Sequence, residues 1–134
     1  MTTDIRSSLG GGFDSEIGLQ FLELTPDGGT ARLEITDKLL QPWGIVHGGV
    51  YCAVIESLAS VSGQVWLSEN GDGHVVGVNN NTDFLRAIST GMVTAVSVPI
   101  HRGRRQQLWL ITITDDNERV VARGQVRLQN LPPE

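Results

Sequence analysis

The chain has 134 residues, enough for one domain with its own hydrophobic core and too few for two. Hydrophobic residues make up 40% and charged residues 19%, which is the balance of a folded globular protein rather than of a disordered chain. The formal net charge of -5 argues against binding nucleic acid or an anionic membrane, because both need a broad positive surface. An anionic ligand therefore has to meet a local cluster of basic residues.

The sequence favours a cytoplasmic protein. Its single cysteine, Cys52, cannot form a disulfide within the chain, and residues 1–10 lack the basic and apolar pattern of a secretory signal. Every apolar stretch that approaches the length of about 20 residues needed to cross a bilayer is interrupted by Glu, Gln, Asn or Gly. We therefore expect no membrane-spanning helix, and we expect neither a bound metal nor a separate cofactor.

The N-terminal third predicts an arm, a hairpin and a loop. Residues 1–12 end in three glycines and predict a flexible or loosely docked arm. Residues 26–29 (PDGG) predict a hairpin turn between strands at about 17–24 and 30–35. Residues 38–46, which contain a proline and a glycine, predict a loop before the next element.

One long helix and a series of strands are predicted after this loop. The helix begins at Gly48 and runs to about Trp66 or Leu67. The rest of the chain has the alternating pattern of strands. Four strands are predicted, at about residues 75–85, 92–101, 106–114 and 120–128, with a tight turn at 115–117.

The predicted helix has apolar side chains on all its faces instead of along one stripe. They are Val50, Ala53, Val54, Ile55, Leu58, Ala59, Val61, Val65 and Trp66. Such a helix must be buried on most sides, and nearly all of the segments that could cover it are strands. We expect an α+β domain in which an antiparallel sheet wraps one central helix. The alternative is a two-layer α+β sandwich in which a partner chain covers part of the helix.

Glu56 is the carboxylate within this helix, which carries no Lys or Arg to pair with it. An unpaired carboxylate on a buried helix is costly, so we expect either a functional role or a hidden partner. Ser60 and Gln64 follow at intervals of four residues, which places the three polar groups on one face. This polar stripe predicts a cleft or an interface. A structural Glu56 that bridges a subunit contact remains the alternative.

The start of the helix offers hydrogen-bond donors. The first backbone N–H groups of a helix lack partners, and Gly48 and Gly49 leave them accessible to an oxygen that gains negative charge. His47 and Gln41 flank this opening and could donate to an acyl carbonyl or hold a water molecule, although His47 alone could equally be a structural cap. A nucleophilic pair of Cys52 and His47 is disfavoured, because Cys52 lies among apolar residues.

Helix geometry predicts that the site is shared between subunits. Glu56 lies nine residues after His47, which on an ideal helix is about 13 Å of rise and a rotation of roughly 180°. The two side chains cannot easily reach one ligand from the same helix. If both act on one substrate, they come from two chains that meet across a two-fold interface. A homo-oligomer is therefore expected.

A basic cluster lies at the junction of two predicted strands and consists of His101, Arg102, Gly103, Arg104 and Arg105. Arginines around a glycine suit the recognition of phosphate groups, and Arg86 on the preceding strand could join them. The alternative is a solvated bulge whose arginines pair with nearby Asp or Glu.

These residues resemble the motif of bacterial hotdog-fold thioesterases. The resemblance lies in residues 41–49 (QPWGIVHGG), followed by Glu56, Ser57 and Ser60, and it covers most of the chain after about residue 30. The groups that it resembles most are the glutamate-type 4-hydroxybenzoyl-CoA thioesterases, the 1,4-dihydroxy-2-naphthoyl-CoA hydrolases and the phenylacetate-pathway enzymes. It implies a hotdog fold with about five or six curved antiparallel strands, assembled as a dimer or a dimer of dimers.

The resemblance also implies roles for single residues on an acyl-CoA substrate, with a leaning towards aromatic acyl groups. Glu56 would be the nucleophile or the general base, and Ser60 would assist its carboxylate. The residues that would activate the carbonyl or position water are Gln41, His47 and Gly48. Gly49 would contact the substrate. The residues that would hold CoA are Phe84, Arg86, His101, Arg102, Gly103, Arg104 and Arg105.

Two other functions are compatible with the same fold. A hydratase-like lyase acting on enoyl-CoA would need an Asp and His pair near the helix start, whereas this chain has Glu56 deeper in the helix. A non-catalytic acyl-CoA-binding protein would not need Glu56. We therefore expect an acyl-CoA thioesterase that uses no cofactor beyond the CoA of its substrate.

Overall fold

The computed structural model describes residue 9 and residues 11–134. The helices are α1 (Gly12–Ile17) and α2 (Gly48–Asn70), and a short 3-10 helix covers Asp37–Leu39. The strands are β1 (Gln20–Thr25), β2 (Gly28–Ile35), β3 (His74–Phe84), β4 (Gly91–Arg102), β5 (Gln106–Thr114) and β6 (Val120–Leu131). The arm predicted over residues 1–12 lies almost wholly outside the described residues.

The six strands form one antiparallel sheet in the order β1-β2-β4-β5-β6-β3. The helix α2 contacts every strand of this sheet. The predicted arrangement of one central helix wrapped by an antiparallel sheet is therefore confirmed. The predicted hairpin between β1 and β2 is also present, and β1 and β3 form the two edges of the sheet.

The helix α1 is an element that the sequence did not predict. Ile17, expected to open the first strand, is instead the buried last residue of α1, and Gly18 ends the helix in the left-handed conformation (φ 85°). Six residues are too few to show a helical repeat, so the pattern gave no signal. The Ser57 hydroxyl donates a 2.7 Å hydrogen bond to the Asp14 carboxylate, which ties α1 to α2.

The core lies between α2 and the inner face of the sheet. Its fully buried side chains include Val54, Ile55 and Leu58 on α2 and Trp109, Ile111, Ile113, Val126 and Leu128 on β5 and β6. By length and composition alone α2 could span a membrane, with 23 residues and a mean hydropathy of 1.3, so its polar residues lower its hydropathy less than expected. Contact with the sheet accounts for this apolarity, because the apolar side of α2 forms the core.

Gly63 lets α2 approach the sheet closely. A Cβ at this position would overlap Leu128 Cδ1 and would lie 2.9 Å from Gln107 Oε1. We expect Gly63→Ala to lower the free energy of unfolding by about 1–3 kcal/mol, because overpacking outweighs the better helix propensity of alanine. Urea denaturation would measure this. Gly71→Ala is the matched control, since nothing lies within 4 Å of the added methyl group, and an equal loss in both variants would contradict the packing argument.

Candidate active site

One stripe of α2 lies outside the core, beside the edge strand β3, and carries Glu56 and Ser60. Glu56 is exposed, and Ser60 is half-buried. The expectation of a buried carboxylate was wrong for the single chain, because the sheet ends at the edge strand β3 beside this stripe and leaves Glu56 exposed. No Lys, Arg or His among the described residues forms an ion pair with Glu56. The Glu56 carboxylate is thus available at the surface of α2, and in the single chain no cost of burial has to be offset.

A groove of about 490 Å³ runs along this stripe. Its α2 wall consists of Gly49, Cys52, Ala53, Glu56 and Ser57, and its other wall consists of Gly11, Phe13, Asp14 and Asn80. Gly49 and Glu56 share the groove because seven residues are two helical turns. The edge strand β3 adjoins it, since a Cβ on Gly77 would lie 3.7 Å from Glu56 Cδ. The groove therefore leads from the helix start to the carboxylate.

Asn80 joins β3 to α2 beside the groove. Its Nδ2 donates a 3.0 Å hydrogen bond to the Cys52 carbonyl, and its Oδ1 accepts a 2.7 Å bond from the Thr82 hydroxyl. Sequence reasoning assigned this residue no part in the site. The run of three asparagines at 79–81 was a visible signal, but no spacing rule relates a residue of β3 to one of α2.

His47 caps α2 and so changes which backbone donors are free. Its Nδ1 accepts a 2.8 Å hydrogen bond from the Gly49 N–H, and its carbonyl accepts a 2.9 Å bond from the Val50 N–H. Among the described residues, none accepts from the Gly48 N–H. Both glycines were expected to offer an open N–H group, but only that of Gly48 is open, because the Gly49 N–H is bonded to His47. Because Nδ1 accepts, the proton of the neutral imidazole is assigned to Nε2, which remains able to donate.

Phe84 lies against the helix start. A Cβ on Gly48 would come within 2.7 Å of Phe84 Cζ, so the ring rests on the glycine Cα. The ring also packs against Tyr51, with centroids 6.4 Å apart, and it stays 56% exposed. Phe84, which was predicted to hold CoA, is therefore placed beside the predicted carbonyl-binding end of α2.

Gln41 lies in a short closed loop before α2. Its backbone N–H donates to the Ile45 carbonyl over 2.8 Å, and its side-chain oxygen accepts from the Trp43 N–H. A bridge between Leu40 and Val46 closes the base of the loop next to the helix. The Gln41 amide nitrogen makes no hydrogen bond to the part of the chain that the structure describes, so it can donate to a ligand.

The remaining polar residues of the α2 stripe differ in role. Ser60, one turn after Glu56, has no hydrogen-bond partner for its hydroxyl within residues 11–134. Gln64 is structural, because its amide donates to the Gly73 carbonyl over 3.1 Å and accepts from the Val75 N–H over 3.1 Å. The predicted polar stripe therefore has two parts. Glu56 and Ser60 are open to a ligand, whereas Gln64 attaches the start of β3 to α2.

The basic cluster lies at the opposite end of α2. Gly103 and Arg104 border a groove with residues 66–72, which form the end of the helix and the turn after it. Arg86 follows β3, whose last residue meets Gly48, so about 30 Å of helix separates Arg86 from the cluster. The expectation that Arg86 joins the cluster was wrong within one chain, because β3 carries the backbone back along the full length of α2.

The three arginines of the cluster are not equivalent. Arg102 Nη1 donates to Asp27 Oδ1 over 2.8 Å and to the Pro26 carbonyl over 2.7 Å, which fixes Arg102 to the turn between β1 and β2. Arg104 and Arg105 are exposed and form no ion pair with any described residue. The alternative interpretation, in which the arginines pair with nearby acidic residues, is therefore correct for Arg102. Arg104 and Arg105 remain free to bind an anion.

Tyr51 carries a buried hydroxyl without a hydrogen-bond partner in the described chain. Burial, together with the charge of Asp115, raises the pKa of Tyr51 to about 12 from its ordinary value of 10.0. Because the folded chain resists ionisation of Tyr51, the free energy of unfolding keeps its full value below pH 10 and falls as the pH rises towards 12.

We expect Tyr51→Phe to unfold at a melting temperature equal to or above that of the native protein, because it removes an unsatisfied buried polar group. Its stability should also fall less between pH 10 and 12, as measured by thermal denaturation across that range. A lower melting temperature at pH 7 would show that the hydroxyl has a partner.

Comparison with known proteins agrees with this geometry. A family model described as "Thioesterase superfamily" matches residues 44–122. A Mycobacterium tuberculosis protein, named provisionally as an esterase, is 68% identical over 120 residues, which are 89% of this chain and 86% of that protein. The 1,4-dihydroxy-2-naphthoyl-CoA hydrolase of Listeria monocytogenes is 34% identical over 110 residues, covering 82% of this chain and 88% of that one.

Solved structures give the same result. The structure of the Mycobacterium tuberculosis protein superposes with a TM-score of 0.89 at 67% identity, covering 91% of this chain and 98% of that chain. A thioesterase of Haemophilus influenzae superposes with a TM-score of 0.88 at 27% identity, covering 98% of this chain and 91% of that chain. From the matched family model, the relatives and the fold, the chain belongs to the thioesterase superfamily and is a thioester hydrolase with the hotdog fold.

Proposed function

We propose that this protein hydrolyses an acyl-CoA thioester, with an aromatic acyl group favoured, and that Glu56 is the reacting carboxylate. The observation that carries the proposal is the open stripe of α2, on which an exposed Glu56 without an ion-pair partner among the described residues borders a groove that can hold a substrate. The relatives named as naphthoyl-CoA hydrolases support a CoA thioester of an aromatic acid. We place the protein in the cytoplasm, where acyl-CoA substrates are made and used.

In the proposed reaction, the thioester carbonyl oxygen accepts a hydrogen bond from the Gly48 N–H. Negative charge that develops on this oxygen is stabilised by the N–H and by the positive end of the α2 dipole. His47 Nε2–H and the Gln41 amide are the further donors that can reach the carbonyl or a water molecule. Because these groups are fixed by the cap and by the closed loop, they need little reorganisation during the reaction.

Glu56 can act by either of two routes. In the first, a carboxylate oxygen attacks the carbonyl carbon, the C–S bond breaks, CoA leaves as the thiolate, and water then hydrolyses the acyl-glutamyl anhydride. In the second, Glu56 removes a proton from water as that water attacks. The Ser60 hydroxyl, one turn further along α2, donates to the carboxylate in both. Label that appears in Glu56 after one turnover in ¹⁸O-labelled water identifies the first route, because only hydrolysis of the anhydride at its glutamyl carbonyl transfers a solvent oxygen to that side chain.

We further propose that each site combines two chains. Gly48 and Glu56 are eight residues apart, or about 12 Å along the helix and roughly 80° around it, so one carbonyl group cannot touch both within one chain. The edge strand β3 can pair with β3 of a second copy, and its exposed Val76 and Val78 would be covered in that pair. A two-fold axis level with Cys52 would set Gly48 opposite Glu56 of the partner subunit, because each lies four residues from Cys52.

This antiparallel pairing also explains the position of the basic cluster. In one chain the cluster lies at the far end of α2 from Gly48. In a two-fold dimer the helices run antiparallel, so the cluster of one chain lies at the same end as Gly48 of the other. CoA could then extend from the thioester at one helix start to the arginines of the partner, and Arg86 would meet the partner's cluster.

Thiol release from a panel of acyl-CoA esters tests the function directly. We expect turnover with at least one aromatic acyl-CoA, and the absence of thiol release from every ester would overturn the proposal.

Mixed dimers test the shared site. Glu56→Gln and Gly48→Ala chains, each inactive alone, would be mixed after reversible dissociation. Random pairing makes about half of the dimers mixed, each with one of its two sites intact, so about one-quarter of native activity should return. If Gly48 and Glu56 act within one chain, mixing restores nothing.

A further inference from the structure

A buried amide side chain links α2 to the basic cluster. Gln107 is fully buried, and its Nε2 donates to the Gly63 carbonyl over 3.2 Å and to Asn130 Oδ1 over 2.9 Å. Its Oε1 accepts a 2.8 Å hydrogen bond from Trp109 Nε1. A buried amide with partners on both its oxygen and its nitrogen is held in one orientation, so Gln107 presents a fixed donor to Asn130.

Asn130 in turn holds the backbone of the basic cluster. Its Nδ2 donates to the carbonyl oxygens of Gly103 over 2.9 Å and Arg104 over 3.1 Å. Its backbone N–H donates to the Arg105 carbonyl over 2.8 Å. Three successive carbonyl oxygens of the turn are therefore bonded to one residue. These carbonyl oxygens are directed at Asn130, and the side chains of Arg104 and Arg105 are exposed.

The same turn is fixed from its other side. Arg102 is bonded to Pro26 and Asp27, and the Gly103 N–H donates to the Gln106 carbonyl over 2.9 Å. A methyl group on Gly103 would meet the His101 ring, which lies over this glycine. The backbone of the turn thus has few conformations open to it, which lowers the entropy that is lost when its arginines bind an anion.

We infer that Asn130 is a positioning residue for the binding of CoA. Held by Gln107, it fixes residues 103–105 so that Arg104 and Arg105 meet the phosphate groups of CoA in a prepared geometry. This inference rests on the proposed function, because it requires a CoA thioester as the ligand. It predicts that Asn130 matters for substrates that carry phosphates and not for the acyl transfer itself.

Kinetics with two substrates test this role. Asn130→Ala and the control Asn117→Ala, an exposed residue of the turn between β5 and β6, would be assayed with an acyl-CoA and with the phosphate-free pantetheine thioester of the same acid. For Asn130→Ala we expect KM for acyl-CoA to rise roughly tenfold with kcat unchanged, and no change with the pantetheine thioester. Equal losses on both substrates, or no loss on either, would overturn the inference.

A double-mutant cycle separates positioning from direct binding. In a background of Arg104→Ala with Arg105→Ala, removal of Asn130 should raise KM no further, because it acts through those arginines. If Asn130→Ala raises KM by the same factor in this background as in the native protein, Asn130 does not act through the two arginines. Melting temperatures of all variants would confirm that each is folded under assay conditions.

Failure of the inference and failure of the proposed function give different results. If the native protein cleaves the CoA and pantetheine thioesters equally well, the cluster does not bind phosphate and the inference fails, while hydrolysis stands. If the native protein cleaves neither, the proposed function fails. Calorimetric titration with adenosine 3′,5′-bisphosphate then decides the inference: binding that is lost in Asn130→Ala supports it, and equal or absent binding overturns it.

Discussion

Replacing Glu56 with Gln is expected to remove thioester hydrolysis almost completely. Glutamine keeps the size of the side chain but can neither attack a carbonyl carbon nor accept a proton from water, so kcat should fall by at least roughly a thousandfold. KM should change little, because Glu56 lies outside the basic cluster that is proposed to bind CoA. Thiol release under saturating acyl-CoA would measure the loss.

The matched control for this variant is Glu69→Gln. Glu69 lies on the same helix and is exposed, but it is more than three turns from Glu56. Glu69→Gln should keep native activity, which separates loss of the reacting carboxylate from a general change in charge. Native kcat in the Glu56 variant would remove this residue from the mechanism and would favour a non-catalytic acyl-CoA-binding protein.

Gly48→Ala is expected to have the second largest effect, a fall in kcat of roughly a hundredfold to a thousandfold. The added methyl group would meet the Phe84 ring at 2.7 Å. Either the ring or the first turn of α2 must then move, and the Gly48 N–H loses its alignment with the developing oxyanion. Because this hydrogen bond is strongest in the transition state, the loss should fall on kcat more than on KM.

Gly71→Ala is again the suitable control, since it adds a methyl group beyond the other end of α2 with nothing within 4 Å. It should leave kcat at the native value. If Gly48→Ala were as active as the native protein, the carbonyl would have to bind elsewhere, and the open N–H at the helix start would have no catalytic role.

The helix, the strands and the positions of the polar residues on the helix could be predicted because the relevant signals are local. An apolar segment that begins with two glycines defines the start of α2, and alternation defines the strands, within one to three residues at most ends. Glu56 and Ser60 fall on one face because helical spacing fixes their rotation. The basic cluster was visible as five consecutive residues.

Asn80, Gln107 and Asn130 could not be predicted in the same way. Each acts on a residue far away in the chain: Asn80 bonds Cys52, and Gln107 bonds Gly63 and Asn130. Their partners are set by the packing of α2 on the sheet and by the strand order, in which β6 lies between β5 and β3. No pattern within a single strand carries that order.

The amino-acid sequence alone determined the α+β class of the fold and an apolar helix with Glu56 near its middle. It could do so because side-chain type and helical or strand periodicity are properties of neighbouring residues. Only the tertiary structure decided that Glu56 is exposed, that His47 uses the Gly49 N–H, that Arg102 is bound to Asp27, and that Arg86 and the basic cluster lie at opposite ends of α2. These facts depend on which distant segments meet, and that is fixed by the packing of the whole sheet around the helix.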